Sequence, residues 1–322
     1  MRISFCNKND RITQGFGHAT TRIVNTLIKN DYQVSYSDKS ADVAIWFGHP
    51  EQFEFTVEKN AYKIGYVAWE STAEKEDKQW KECILKAGVD EIWVPNKFCE
   101  TVMKQYTDKP IYIFPHAVDK TYEPYKRSFD GKLKFLHVGY PAMRKNLHDT
   151  VEAFLELYSD RDDVTLTIKS YEGANLDYYK QFKNINVIAE TYLQMQMEQL
   201  MNEHHCLIYP SWGEGFGLIP LEALGTGMPA IITEGWCDYI KYAEDLKIDS
   251  YLTHHHWSSV HSGLMFKPNY QTLLEKMKYV ENNIEQLLDK YYEQAFDIHQ
   301  EYDWDKLVNK QFKELEQRLM LQ

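Results

Sequence analysis

Residues 211–230 read SWGEGFGLIPLEALGTGMPA and lie between two short apolar runs, 206–210 (CLIYP) and 229–233 (PAIIT). Apolar runs of that length, bounded by glycine and proline, predict two buried strands. The segment between them has room for a loop and a short helix, so the whole is a strand, loop, helix, strand unit. Gly213, Gly215 and Gly217 make the loop permissive and let a ligand approach its backbone. The helix is expected to begin near Leu218 with Pro220 in its first turn, where a missing N–H costs little. A helix N-terminus that follows glycines is an anion site.

Two carboxylates frame this loop, Glu214 before the helix and Glu222 about one turn inside it. Carboxylates accept paired hydroxyl hydrogen bonds and repel phosphate, so the arrangement suits a ligand carrying both sugar hydroxyls and phosphate, such as a nucleotide sugar. A glycine turn with two solvated carboxylates has the same bare spacing. The GFGL filling and the ALGTGMPAIIT that follows go further, and the stretch resembles the Glu-x7-Glu signature of the group 1 glycosyltransferases with the GT-B fold. That resemblance implies that Glu214 holds donor-sugar hydroxyls and that Glu222 holds the nucleotide ribose. It also implies that the backbone of Gly215, Phe216, Gly217 and Leu218 meets sugar and phosphate.

At 322 residues and 43% hydrophobic, the chain is long enough for two medium α/β domains with real cores. No apolar run approaches bilayer length and the N-terminus has no signal-peptide core, so a cytoplasmic location is expected. Five cysteines without CxxC spacing indicate neither a disulfide framework nor a zinc site. A formal charge of −12 disfavours nonspecific nucleic-acid binding while leaving room for a local basic patch.

Residues 2–6 read as a first strand, and the glycine loop at Gly15, Phe16 and Gly17 as the opening of a helix with Ile23, Val24, Leu27 and Ile28 on one face. Strands follow at 32–36, 42–47 and 63–69, the last delivering Glu70 at its carboxyl end, where open α/β sheets bind ligands. Glu70 is therefore placed either in a ligand site or as a capping carboxylate. Strands at 90–95 and 110–115 flank a helix at 97–106, and His116 follows at the domain junction. The polar stretch 120–131, carrying Pro124, reads as the linker.

A second domain opens with a strand at 132–138 and the loop GYPAMRKN, which resembles the family's Gly-Arg loop followed by Lys-Asn. The family's cations there hold the donor pyrophosphate, and Lys145 matches. Tyr140 stands where the family has Arg, so Arg144 is the candidate second guanidinium. A helix at 147–158, strands at 164–169 and 186–189 and a helix at 195–201 complete the approach to the central stretch. The histidine run 254–256 with His261 is expected in a surface loop, and neither Asp160-Arg-Asp162 nor Asp303-Trp-Asp305 is taken as a metal site.

The resulting expectation is an α/β GT-B fold with two Rossmann-like domains facing a cleft: residues 1–122 on the acceptor side, 130–300 binding the nucleotide sugar, and a helix at 301–322 crossing back onto the first domain. The expected activity is transfer of a sugar from a nucleotide diphosphate donor to an unidentified hydroxyl, with retention and without a metal or other cofactor. Glu214, Lys145 and Glu70 are the catalytic candidates. Gly15, Phe16, Gly17, Arg144, Lys145, Gly215, Phe216, Gly217, Leu218 and Glu222 are the donor-binding ones. Three competing functions share these residues: an epimerase or phosphorylase of the same fold, a noncatalytic sugar-nucleotide-binding subunit, and a transferase acting on hydroxylated DNA bases.

Overall fold

Strand-length apolar runs alternate with helices along the chain, the pattern that builds parallel sheets. The computed structural model describes residues 1–6, 15–36, 38–75, 78–256 and 260–321. The chain divides into two units, the first made of Met1–Ala117, Ser259–Gly263 and Tyr302–Gln322, the second of Val118–Ser258 and Leu264–Glu301.

The first unit contains β1 (Arg2–Phe5), α1 (Gly15–Lys29), β2 (Gln33–Tyr36), β3 (Val43–Phe47), β4 (Tyr62–Tyr66), α2 (Trp80–Ala87), β5 (Glu91–Val94), α3 (Lys97–Met103) and β6 (Ile111–Ile113). Its strands form one parallel sheet in the order β2-β1-β3-β4-β5-β6. The second unit contains β7 (Leu133–Val138), α4 (Leu147–Tyr158), β8 (Val164–Ser170), β9 (Ile185–Ala189), α5 (Gln194–Asn202), β10 (Cys206–Tyr209), α6 (Leu218–Gly225), β11 (Ala230–Thr233) and β12 (Lys247–Ile248). Its parallel sheet runs β12-β11-β10-β7-β8-β9, the doubly wound order of dinucleotide-binding folds. An antiparallel hairpin, β13 (Ser250–His254) and β14 (Leu264–Pro268), and the helix α7 (Tyr270–Glu301), broken at Asn283, complete it.

The final helix, α8 (Trp304–Met320), belongs to the first unit. Asp303 caps it by accepting from the Lys306 amide at 2.8 Å. Phe312 packs edge-on against Trp93 at 5.3 Å, and the Arg318 guanidinium lies 3.9 Å over the Tyr112 ring while donating to Glu91 at 2.9 Å. Glu91 is fully buried and also accepts from Trp93 Nε1 at 2.6 Å and Tyr62 OH at 3.0 Å.

Several local expectations change. Gly15, Phe16 and Gly17 form the first turn of α1 rather than a loop: Thr21 Oγ1 donates to the Gly17 carbonyl at 2.8 Å, and Phe16 packs against Phe47 at 4.8 Å. Any loop ahead of them falls at 7–14, outside the described residues. Ile28 is 54% exposed because it lies in the last turn of α1, away from buried Ile23, Val24 and Leu27. β4 ends at Tyr66, and Trp69 turns its indole N–H to Ser71 Oγ and the Ala73 carbonyl, so apolar character there reflects burial without sheet pairing. His255 and His261 are buried rather than in a surface loop: His255 packs on Trp212 within the second unit, and His261 packs on Trp69 within the first.

Residues 118–131 group with the second unit, and Arg127 explains why. It is buried and donates to the carbonyls of Met201 (2.9 Å), His204 (2.8 Å) and Thr226 (2.7 Å). These carbonyls close the C-terminal ends of α5 and α6, where the helix dipoles leave partial negative charge. Burial pushes the Arg127 guanidinium down to about 9, which keeps it charged at neutral pH.

Two predictions follow from buried titratable groups. Arg318→Ala leaves the Glu91 carboxylate buried without its cation, and a loss of about 3–5 kcal/mol is expected. Thermal unfolding measures it, and an unchanged midpoint refutes the role of this pair. Burial pushes His116 down to about 3, helped by the charge of His18, and pushes His137 and His204 to about 4. Each folded value lies below the ordinary one, so the stability from these neutral rings is complete above about pH 6.5 and is lost as pH falls toward 4. Each adds a slope of about 1.4 kcal/mol per pH unit in that window. Unfolding midpoints read between pH 7 and pH 4 should fall steeply; a flat profile contradicts the neutral assignment.

Candidate active site

In the second sheet β7 and β10 lie side by side, but the chain leaves β7 toward β8 and leaves β10 toward β11 on the opposite side. Loops at the carboxyl ends of two such strands diverge, and the space between them is where doubly wound sheets bind ligands. The loop after β7 ends in a single 3-10 turn, Met143–Lys145, closed by Asn146 in the left-handed region at φ 56°. The loop after β10 is residues 210–217. The Arg144 carbonyl joins the two, accepting from the Trp212 amide at 2.8 Å and from Ser211 Oγ at 3.2 Å.

Glu214 is the centre of this junction. One oxygen, Oε1, accepts from Lys145 Nζ at 2.6 Å, Ser211 Oγ at 2.7 Å and Tyr209 OH at 3.0 Å, and lies 2.8 Å from Arg144 NH1. Burial opposes ionisation here, yet Arg144 and then Lys145 outweigh it and hold the carboxyl down at about 2. The same Lys145 ammonium donates to Tyr209 OH at 2.6 Å, and Arg144 also donates to the Gly213 carbonyl at 2.8 Å. Both cations named from sequence therefore meet the carboxylate named from sequence. Arg144 reaches the cluster because the 3-10 turn and the left-handed Asn146 direct it toward the neighbouring loop.

Gly217 caps α6 in the left-handed region at φ 83°, and a Cβ there would lie 2.5 Å from both a Trp236 ring carbon and the Tyr239 hydroxyl. Only glycine fits, and its carbonyl accepts from Tyr239 OH at 2.5 Å. Phe216 is buried with its ring 5.6 Å from Tyr239, so its side chain anchors the loop and only its backbone is available to a ligand. Gly215 and Leu218 are half-buried at the rim. The hairpin supports the other side of the loop: the Phe266 amide donates to the Trp212 carbonyl at 2.8 Å, and the His255 ring meets Trp212 edge-on at 4.7 Å.

Glu222 is 5% exposed inside α6, and the Tyr122 hydroxyl hydrogen-bonds to it; burial and then the charge of Glu222 push that phenol far up. Tyr140 takes no part in the cluster. Its ring is exposed and stacks on Tyr171, with centroids 4.8 Å apart and an interplanar angle of 11°. Glu70 lies half-buried at a bend of the first unit, and Gly15, Phe16 and Gly17 lie in α1 of that unit, whereas the Glu214 cluster is built wholly from the second unit. Sequence reasoning missed Tyr209, Ser211, Trp236, Tyr239 and His255. Only Ser211, inside the central stretch, offered a local signal. Among the described residues no group of three His, Cys, Asp or Glu side chains is placed to hold a metal, and no helix is long and apolar enough to cross a membrane.

Several solved structures share this architecture. A glycosyltransferase from Rickettsia africae ESF-5 is 12% identical with a TM-score of 0.72, covering 99% of this chain and 98% of its own. Anabaena HepE in complex with UDP is 10% identical with a TM-score of 0.68, over 98% of this chain and 100% of HepE. A mutant of S. aureus TarM in complex with fondaparinux, alpha-GlcNAc-glycerol and UDP is 15% identical with a TM-score of 0.62, covering 90% of this chain. The chain spans only 57% of that TarM chain. No curated protein matches the sequence. The fold is GT-B, with two Rossmann-like parallel sheets. The model of the family "Glycosyl transferases group 1" matches residues 119–297, more than half of the chain. The chain belongs to the group 1 glycosyl transferases.

Proposed function

We propose that this protein transfers a glycosyl group from a nucleoside diphosphate sugar to a hydroxyl acceptor, with retention of anomeric configuration and with protein cations, not a metal, taking up the leaving charge. The observation that carries the reading is the convergence of Lys145 and Arg144 on Glu214 directly before the N-terminus of α6. A carboxylate for sugar hydroxyls, two cations and a row of helix N–H groups for a diphosphate thus lie in one loop junction. UDP in the structures of HepE and TarM supports a diphosphate ligand for this arrangement.

In the reaction the bond between the anomeric carbon and the diphosphate oxygen breaks, and its electron pair leaves on the diphosphate. The acceptor hydroxyl forms the new bond on the same face, and its proton passes to the departing oxygen. Negative charge grows on the diphosphate in the transition state, so cations fixed in advance stabilise that state more than the ground state. Glu214 holds both cations while the site is empty. Donor binding then shares them with phosphate, and the carboxylate turns to sugar hydroxyls. Glu222 is assigned to the ribose, exchanging its Tyr122 contact for a diol.

Titration of carboxylate variants with nucleotide and with nucleotide sugar tests this division. Glu222→Ala should weaken both ligands. Glu214→Gln should leave free diphosphate binding equal or tighter, because Lys145 and Arg144 lose their anionic partner, while turnover falls about 10²–10³-fold. Equal losses for both ligands in both variants would sink the assignment.

Single-turnover rates test the cations. Lys145→Ala should slow the chemical step about 10²-fold or more while donor affinity falls less, and Arg144→Ala should show a smaller defect of the same kind. If Arg144→Ala is silent in both readings, its guanidinium serves the structure of the loop junction and takes up no leaving charge.

A further inference from the structure

Beside the donor loops, on the same unit, a groove of about 370 Å³ opens between α4 and the segment that follows β8. His148, Val151 and Glu152 line it from α4, and Asn175, Tyr178 and Tyr179 from the facing segment. We propose that this groove is a second carbohydrate site, which binds a neutral oligosaccharide apart from the nucleotide sugar.

The walls are built rather than incidental. His148 and Glu152 stand one turn apart on α4, so they share a face, and buried Val151 forms the floor between them. Opposite, Leu176 is 2% exposed and anchors the segment to the core. Tyr178 is 65% exposed, yet its ring is held edge-on by Tyr179 at 5.4 Å and by Phe182 at 5.8 Å. A large exposed phenol fixed in orientation presents a flat face at little entropic cost. Such a face meets the C–H side of a pyranose, and the groove's volume of about 370 Å³ is at the small end of ligand pockets.

The polar lining narrows the ligand further. Glu152 and the Asn175 amide can pair with vicinal hydroxyls. Among the described residues no lysine or arginine lines the groove, and Glu152 repels phosphate, so nucleotides and anionic glycans do not suit it. A neutral sugar chain satisfies all of these groups at once. The groove is also tied to the donor loops by covalent geometry: α4 begins at Leu147, two residues after Lys145, and His148 lies in its first turn. On the glycosyltransferase reading the groove belongs to the unit that binds the donor, and the oligosaccharide it holds is apart from residues 1–122 on the acceptor side.

Maltotriose, cellotriose and triacetylchitotriose are the probes, titrated against the full chain by calorimetry and saturation-transfer NMR, with and without saturating UDP. At least one should bind with a Kd near or below about 10 mM, and UDP should not displace it. Tyr178→Ala and Glu152→Lys should each weaken that binding about tenfold or more. UDP affinity should stay unchanged in both variants, which shows that they are folded. The proposal is overturned if none of the three sugars binds, if UDP competes with them, or if both variants bind as the parent does. UDP binding reports separately on the donor site, so a chain that binds oligosaccharide but no UDP overturns the donor reading and leaves the groove standing.

Discussion

One carboxylate oxygen organises the second unit around its site. Burying an isolated carboxylate costs several kcal/mol, and a cation with hydrogen bonds must offset it. At Glu214 the loop after β7 supplies Lys145 and Arg144, and the loop after β10 with its strand supplies Ser211 and Tyr209. The two loops at the switch point of the sheet are thereby fixed to one another. The rest is consequence: Gly217 is placed to start α6, Trp236 and Tyr239 close over it, and the hairpin strand β14 bonds to Trp212. The same cluster has chemical use, because a diphosphate arriving near it competes for cations already in place.

Buried charge is managed by the same rule elsewhere, with different partners. Among the described residues Arg127 meets no carboxylate; it lies among carbonyls at the ends of α5 and α6, where helix dipoles act as its counter-charge. Glu91 in the first unit receives Arg318, Trp93 and Tyr62, and that set secures α8 to the sheet. In both places a charged side chain joins segments far apart in sequence, and hydrophobic packing around it, such as Phe312 on Trp93, supplies the bulk of the contact. Buried His116, His137 and His204 add a dependence on acidity that surface residues would not, since each ring must be neutral to stay inside.

Short-range features were legible without coordinates. The strands around the central stretch, the helix at 147–158 and the start of α6 at Leu218 all stand where the sequence places them, because apolar period and glycine chemistry act locally. The helix α2, the hairpin and the helical state of Gly15, Phe16 and Gly17 were not legible. A glycine pair reads as a loop by propensity, whereas in the fold Phe16 packs on Phe47 and Thr21 bonds to the Gly17 carbonyl in a helical start. Arg127 reads as linker because its partners lie 74 to 99 residues away.

The sequence by itself determined the alternation of strands and helices, the glycine loop with its two carboxylates, and Lys145 as the matching cation. The first two are fixed by neighbours a few residues apart, within reach of backbone geometry and side-chain spacing, and Lys145 is read from its resemblance to the family's loop. Tertiary structure alone decided that Arg144 joins Lys145 on Glu214, across 69 or 70 positions of chain, while Tyr140 turns outward onto Tyr171. The direction of a side chain in a turn is set by whichever distant segment offers it a counter-charge or a ring, and that segment is placed only when the sheet has formed.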